Sequence, residues 1–305
     1  MPSIQSKILK AFMRIQMTFS AKSGRINIAK ERAKLISLAS IFKAVVSFES
    51  QPITVAGVPA EWITITGAQP DKVLLYLHGG SYTAGSIFTH MTLAANTASA
   101  TGARTLLIDY RLAPEYVYPA ALEDAWIAYA WLIEQGFRPD QIFVAGDSAG
   151  GGLAIALLLK LRDLGKPMPA GLICYSPWTD LALTGKTYKS NAKKDVVVSV
   201  EELRQSSAFY LGGVDPCTPY ASPLYGDAHG LPATLVQVGS DEALLSDSVR
   251  WAEVARLAGV AVRLEVWEGM QHEWQYVARL VPEGRQALEQ VKGFVQGQGT
   301  STDLV

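Results

Sequence analysis

The sequence predicts an α/β fold, with a mostly parallel central sheet, helices on both of its faces and a helical cap. Three observations carry that expectation. From about residue 60, short β-branched apolar runs alternate with longer segments of helical spacing. A Gly-Asp-Ser-Ala-Gly turn at 146–150 joins one apolar run directly to a long helical segment. Two stretches, 1–45 and 180–215, break the alternation with helical pattern and no strand.

Composition permits a large core. Of 305 residues, 49% are apolar and 18% charged, which fits a globular chain rather than a disordered one. The formal net charge of -1 offers no overall field for nucleic acid, so no nucleic-acid partner is expected. The two cysteines, Cys174 and Cys217, match neither zinc spacing nor a disulfide framework, and a reducing cytoplasm is the expected location. No uncharged apolar run is long enough to span a bilayer, and the N-terminus lacks a signal-peptide pattern, so stable membrane insertion is not expected.

The first element is basic and amphipathic. Residues 1–43 hold nine Lys/Arg against the single acid Glu31, interleaved with Ile4, Ile8, Phe12, Met13, Met17 and Phe19. Strands are then expected at 61–66, 72–77, 104–109, 141–145, 170–175, 233–238 and 261–267. Helices are expected near 88–101, 118–136, 149–164, 200–211, 246–258 and 272–295, with a frayed tail from 296.

Gly146-Asp147-Ser148-Ala149-Gly150 has the G-x-S-x-G form of a nucleophile elbow. So sharp a turn strains the serine backbone, and side chains two residues either side would collide, which glycine avoids. Ser148 is the candidate nucleophile, and the helix starting beyond it turns its N–H groups toward the reaction centre. The bland alternative is a glycine turn that merely packs closely. Upstream, His78-Gly79-Gly80-Ser81 ends an apolar run; backbone N–H groups of Gly79 and Gly80, with that of Ala149, are the candidate oxyanion donors.

Of four histidines, His272 follows the last expected strand and is the candidate base; His78 belongs to the glycine loop, His90 to a helix and His229 to a surface turn. Asp241, just past the strand at 233–238, is the candidate orienting acid, with Glu242 and Asp247 as rivals. A helix N-cap is its ordinary alternative role. Serine, acid and histidine then follow successive strand ends in the order that an acyl-transfer triad takes in such a sheet. No cofactor and no metal is expected, since no cluster such as H-E-x-x-H occurs.

These residues, together with Asp109-Tyr110-Arg111-Leu112-Ala113-Pro114-Glu115, Tyr118-Pro119-Ala120-Ala121-Leu122-Glu123-Asp124, Ser176-Pro177-Trp178 and Asp241-Glu242, resemble the hormone-sensitive-lipase-like bacterial esterases of the α/β-hydrolase superfamily. The match runs over about 70–275 and departs at Ser81, where the family often has a third glycine. The resemblance implies a carboxylesterase for short acyl chains of small-molecule esters, built as a catalytic domain (46–179 and 216–298), N-terminal cap helices (1–45) and a cap insertion (180–215). Phe12, Met13, Met17 or Phe19 would then line the acyl pocket, while a homodimer stays open. Three alternatives remain: a deacetylase, lactonase or amidase with the same triad, a non-catalytic receptor of the same fold, and a basic N-terminal helix resting on anionic membrane.

Overall fold

The computed structural model describes residues 1–20 and 24–297, with residues 15–20 as backbone alone; the tail expected to fray lies mostly outside the described residues. Eight strands form one sheet: β1 (Phe48–Val55), β2 (Val58–Ile65), β3 (Gln69–Leu77), β4 (Ala103–Ile108), β5 (Ile142–Asp147), β6 (Gly171–Tyr175), β7 (Thr234–Gly239) and β8 (Val262–Trp267). Their order is β1-β2-β4-β3-β5-β6-β7-β8. The first two joins are antiparallel and the rest parallel.

Side-chain alternation builds the two faces. Along β3, Val73, Leu75 and Leu77 enter the larger core, whereas Leu74 and Tyr76 enter a second core on the opposite face. The larger core is covered by α4 (Ala120–Glu134), α5 (Ala149–Asp163) and α8 (Leu245–Leu257); the second by α3 (Ile87–Thr101) and α9 (Pro282–Val295). α5 is apolar nearly all round because it is buried nearly all round, with Leu153 through Leu159 at most 2% exposed. Truncating one of those leucines to alanine costs ~2–5 kcal/mol.

The stretches expected to form a cap carry α1 (Ile4–Ser20) and α2 (Ile28–Ala39) at the N-terminus, and α6 (Thr187–Ser190) and α7 (Val200–Leu211) in the insertion. The insertion is not a loose flap, since Leu181, Tyr188, Leu203, Tyr210 and Leu211 join the larger core. α2 has no buried residue and is held by Arg32, which donates to the carbonyls of Thr83 and Ala113 and pairs with both oxygens of Glu115.

Two expectations need correction. β1 was not foreseen: only Val55 is fully buried, Pro52 interrupts its apolar pattern, and the strand lies at the sheet edge. It is added by a tight hairpin through Ala56 and Gly57, both at positive φ (47° and 93°). The single helix expected over 272–295 is broken. Glu273 takes left-handed backbone (φ 56°), a short 3₁₀ turn spans Trp274–Val277, and α9 starts afresh at Pro282, whose missing N–H suits a first helical position.

Candidate active site

The site forms at the carboxyl ends of β3, β5, β7 and β8. Ser148 stands between β5 and α5 with φ 49° and ψ -120°, a strained conformation for a residue with a side chain. Hydrogen bonds fix it from both sides: its N–H donates to Tyr175 O (2.8 Å) and its carbonyl accepts from Trp178 N–H (2.8 Å). The neighbouring Gly150 is required sterically, because a Cβ there would lie 2.0 Å from the carbonyl oxygen of Leu77. That contact presses the first turn of α5 against the end of β3.

It also places the glycine loop beside the elbow. Gly79 meets the Asp147 carboxylate so closely that a Cβ would stand 2.1 Å from Oδ2. The Gly80 carbonyl accepts from Thr83 and Ala84 N–H groups, and the His78 carbonyl from Tyr110 Oη (2.6 Å), so the loop is anchored through its oxygens. Ser81 and Tyr82 both take left-handed backbone (φ 55° and 60°), so Ser81 adopts a conformation natural to the glycine that the related pattern carries there. Tyr82 stacks on Tyr210 at 3.8 Å, tying this loop to α7.

His272 lies beyond β8 and is buried. Its Nδ1 is 2.8 Å from Glu242 Oε2, and both side chains are almost wholly enclosed. The carboxylate that holds this histidine is therefore Glu242 and not, as expected, Asp241. The chain turns after Gly239 so that Asp241 faces outward to an ion pair with Lys10 of α1, while Glu242 turns under the sheet edge. There Glu242 Oε1 also accepts from Gly239 N–H (2.5 Å) and Ser176 Oγ (2.7 Å). Asp247, the other rival, sits in α8 and accepts the N–H groups of Thr179 and Asp180 (2.9 Å each); burial pushes its carboxyl up to about 7.

Three further groups were missed. Glu273 follows the histidine and puts Oε1 3.3 Å from His272 Nε2. Asp147, the central residue before the serine, accepts from Tyr76 Oη (2.7 Å) and lies 3.3 Å from His90 Nε2. Adjacency to His272 and Ser148 was the available sequence signal for Glu273 and Asp147; His90 lacked one. Burial opposes a charged His272, but attraction to Glu273 and hydrogen bonds with Glu242 and Glu273 prevail, raising its pKa well above the usual histidine value. Burial raises Glu242, opposed by its bond to His272, and raises Glu273, reinforced by the Asp147 charge. For Asp147 burial is outweighed by the His90 charge and by hydrogen bonds from His90, Glu273 and Tyr76, and its carboxyl is held low. His78, buried and stacked between His90 and Tyr110, is driven down to about 3 chiefly by desolvation.

Among the described residues, His90, Asp147 and Glu273 are the one group with metal-ligand spacing, their ligand atoms lying within 4.8 Å. Tyr76 donates to Asp147 Oδ1 and His90 Nε2 stands 3.3 Å from Asp147 Oδ2, so the three form a buried charged cluster beside the elbow and His272. Of the apolar residues expected to line an acyl pocket, Phe12 is 57% exposed and Met13 half-buried, so Phe12 faces solvent; the side chains of Met17 and Phe19 lie outside the described residues.

A strained serine elbow, a glycine loop against it and a carboxylate-held histidine at one sheet edge define a serine hydrolase site. A family model described as alpha/beta hydrolase fold matches residues 74–276. An acetyl-hydrolase of Streptomyces hygroscopicus is 43% identical over 80% of this chain and 81% of its own. An esterase of Acinetobacter venetianus is 39% identical over 90% and 89%. Among solved structures, an esterase from the bacterial hormone-sensitive lipase family superposes with TM-score 0.92 at 42% identity, over 98% of this chain and 99% of that one. The structure of EstE5 soaked with p-nitrophenyl butyrate gives TM-score 0.91 at 40% identity, over 97% and 99%. The chain belongs to the alpha/beta-hydrolase family and, within it, to the bacterial hormone-sensitive-lipase-like carboxylesterases.

Proposed function

We propose that the protein hydrolyses short-chain acyl esters of small molecules through a Ser148–His272–Glu242 triad and an acyl-enzyme intermediate. The observation that carries this reading is the buried 2.8 Å bond between His272 and Glu242 at the sheet edge that also bears the Ser148 elbow. His272 Nε2 takes the Ser148 proton as Oγ attacks the ester carbonyl carbon. Glu242 holds Nδ1 protonated and stabilises the imidazolium that forms. The carbonyl π electrons move to oxygen, and N–H groups of Gly79, Gly80 and Ala149 stabilise that oxyanion. Collapse expels the alkoxide, which takes the proton back from Nε2 and leaves as alcohol. Water, deprotonated by the same nitrogen, then attacks the acyl-serine and releases the acid.

A short acyl group is supported by the acetyl-hydrolase relative and by the p-nitrophenyl butyrate used with a solved neighbour. Acetyl esters as opposed to lactones or amides are the preferred reading on the same ground, because the triad supplies acyl transfer and the pocket chooses the substrate. A receptor role is disfavoured by the complete set of serine, histidine and carboxylate. The free cysteines, one buried and one exposed, accord with a reducing cytoplasm. Hydrolysis of p-nitrophenyl esters from acetyl to long acyl, beside Ser148→Ala, is the test. Rates peaking at short chains and lost in the variant are expected; a peak at long chains, or a serine variant that retains turnover, overturns the reading.

A further inference from the structure

α1 turns a polar row inward, beside the half-buried Leu9 and Met13. Ser3, which precedes the helix and caps it through Ser6 N–H (3.1 Å), bonds Glu283 from both its N–H (2.5 Å) and its Oγ (3.0 Å). Ser6 Oγ reaches the same carboxylate (2.8 Å), and Lys10 pairs with Asp241. Positions 3, 6 and 10 form one row of the helix. Ile4, Ile8 and Phe12, spaced i, i+4 and i+8, form another, roughly 180° away on a helix of about 3.6 residues per turn. Those three are 73%, 65% and 57% exposed.

An amphipathic helix on a soluble domain ordinarily turns its apolar row to the core. Here Leu9 and Met13 are half-buried, yet a second apolar row has been left in solvent, which stands against the tendency of monomeric proteins to avoid contiguous apolar surface. The surface around it is basic. α1 contains no acid, its exposed Lys7 flanks the stripe, and residues 1–43 carry nine Lys/Arg against Glu31. Two copies meeting through this stripe would bring like charges together with no acid in α1 to pair them. An anionic bilayer answers both features at once, receiving apolar side chains at the acyl boundary and basic ones among its headgroups. Among the described residues no helix is long and apolar enough to cross a membrane, so the contact would lie in the interface plane.

We propose that the outward Ile4–Ile8–Phe12 stripe of α1 and its basic flank form a reversible docking surface for anionic lipid membranes. The same helix is tied through Lys10 to Asp241, the residue beside Glu242, so docking would hold the site next to the lipid surface.

The test is co-sedimentation of the full chain with vesicles of phosphatidylcholine alone or mixed with phosphatidylglycerol, at low and high salt. Preferential binding to the mixed vesicles, weakened by salt, is expected for the wild type. The I4E/I8E variant should lose at least about tenfold in affinity, and K7E severalfold, while both hydrolyse a water-soluble ester at the wild-type rate, showing an intact fold. Absence of wild-type binding, or equal binding by I4E/I8E, overturns the proposal. Sedimentation velocity adds a further outcome: a wild-type dimer that I4E/I8E dissolves would assign the stripe to a second copy and overturn the membrane reading.

Discussion

Glu242 and Asp241 are chain neighbours with opposite employments: Glu242 Oε2 holds His272 Nδ1 at 2.8 Å, while the Asp241 carboxylate pairs with Lys10 on the first helix. Backbone direction separates them. The turn after β7 sends Asp241 outward to α1 and the next side chain, Glu242, beneath the sheet edge.

Substituting the two carboxylates therefore separates their roles. Glu242→Gln should lower kcat by about 10³–10⁴-fold, since it removes the charge that supports the imidazolium and the acceptor that fixes its tautomer. Asp241→Asn should leave kcat for a small ester within about threefold, since surface ion pairs contribute little to a distant step. Steady-state kinetics on p-nitrophenyl acetate distinguish these outcomes, and equal losses would return Asp241 to the mechanism.

The same Asp241→Asn change should loosen α1. Ser3 and Ser6 on Glu283 would then remain to hold the start of that helix, with its Lys10 tie gone. Limited proteolysis should cut within the first 40 residues severalfold faster than in the wild type, and high salt should speed wild-type cleavage in the same direction.

Glu273 sets the pH dependence. Turnover requires neutral His272, whose pKa is raised, so activity falls as pH drops through that raised value. Attraction to the Glu273 carboxylate, 3.3 Å from Nε2, is the largest of the effects that raise it. Glu273→Gln should shift the acid limb of the kcat/KM profile downward by about one pH unit, equivalent to ~1.4 kcal/mol. An unmoved limb would mean that Glu273 is neutral across the range, holding its proton toward Asp147.

Gly79→Ala tests the glycine loop. Its new methyl group would meet Asp147 Oδ2 at 2.1 Å, so either the loop or the elbow must move. A loss of about 10²–10³-fold in kcat, as for removal of an oxyanion donor, is expected with KM little changed. Thermal denaturation alongside kinetics separates this from unfolding.

Much of this was legible in the sequence because its signals are local. The parallel strands β3 to β8 are apolar runs bounded by turns, and the elbow is five consecutive residues whose steric need is strict. β1 was hidden because an edge strand need not be apolar, and its pairing depends on a hairpin turn lacking the usual Asn-Gly. The choice between Asp241 and Glu242 was hidden for another reason: a shorter distance along the chain to the strand end says nothing about which way a turn points a side chain. Asp147, His90 and Glu273 meet from three separate elements, so no spacing in the sequence joins them.

The tie between Lys10 and Asp241 bears on attempts to exchange cap segments among related esterases. A transplanted N-terminal helix would bring its own residue to the partner of Asp241, one peptide bond from the carboxylate that steadies the base. Chimeras in which that pairing is mismatched would seat the helix loosely, even though His272 keeps its own carboxylate in Glu242. Matching positions 10 and 241 as a unit is the condition under which such grafts stay seated on the catalytic domain.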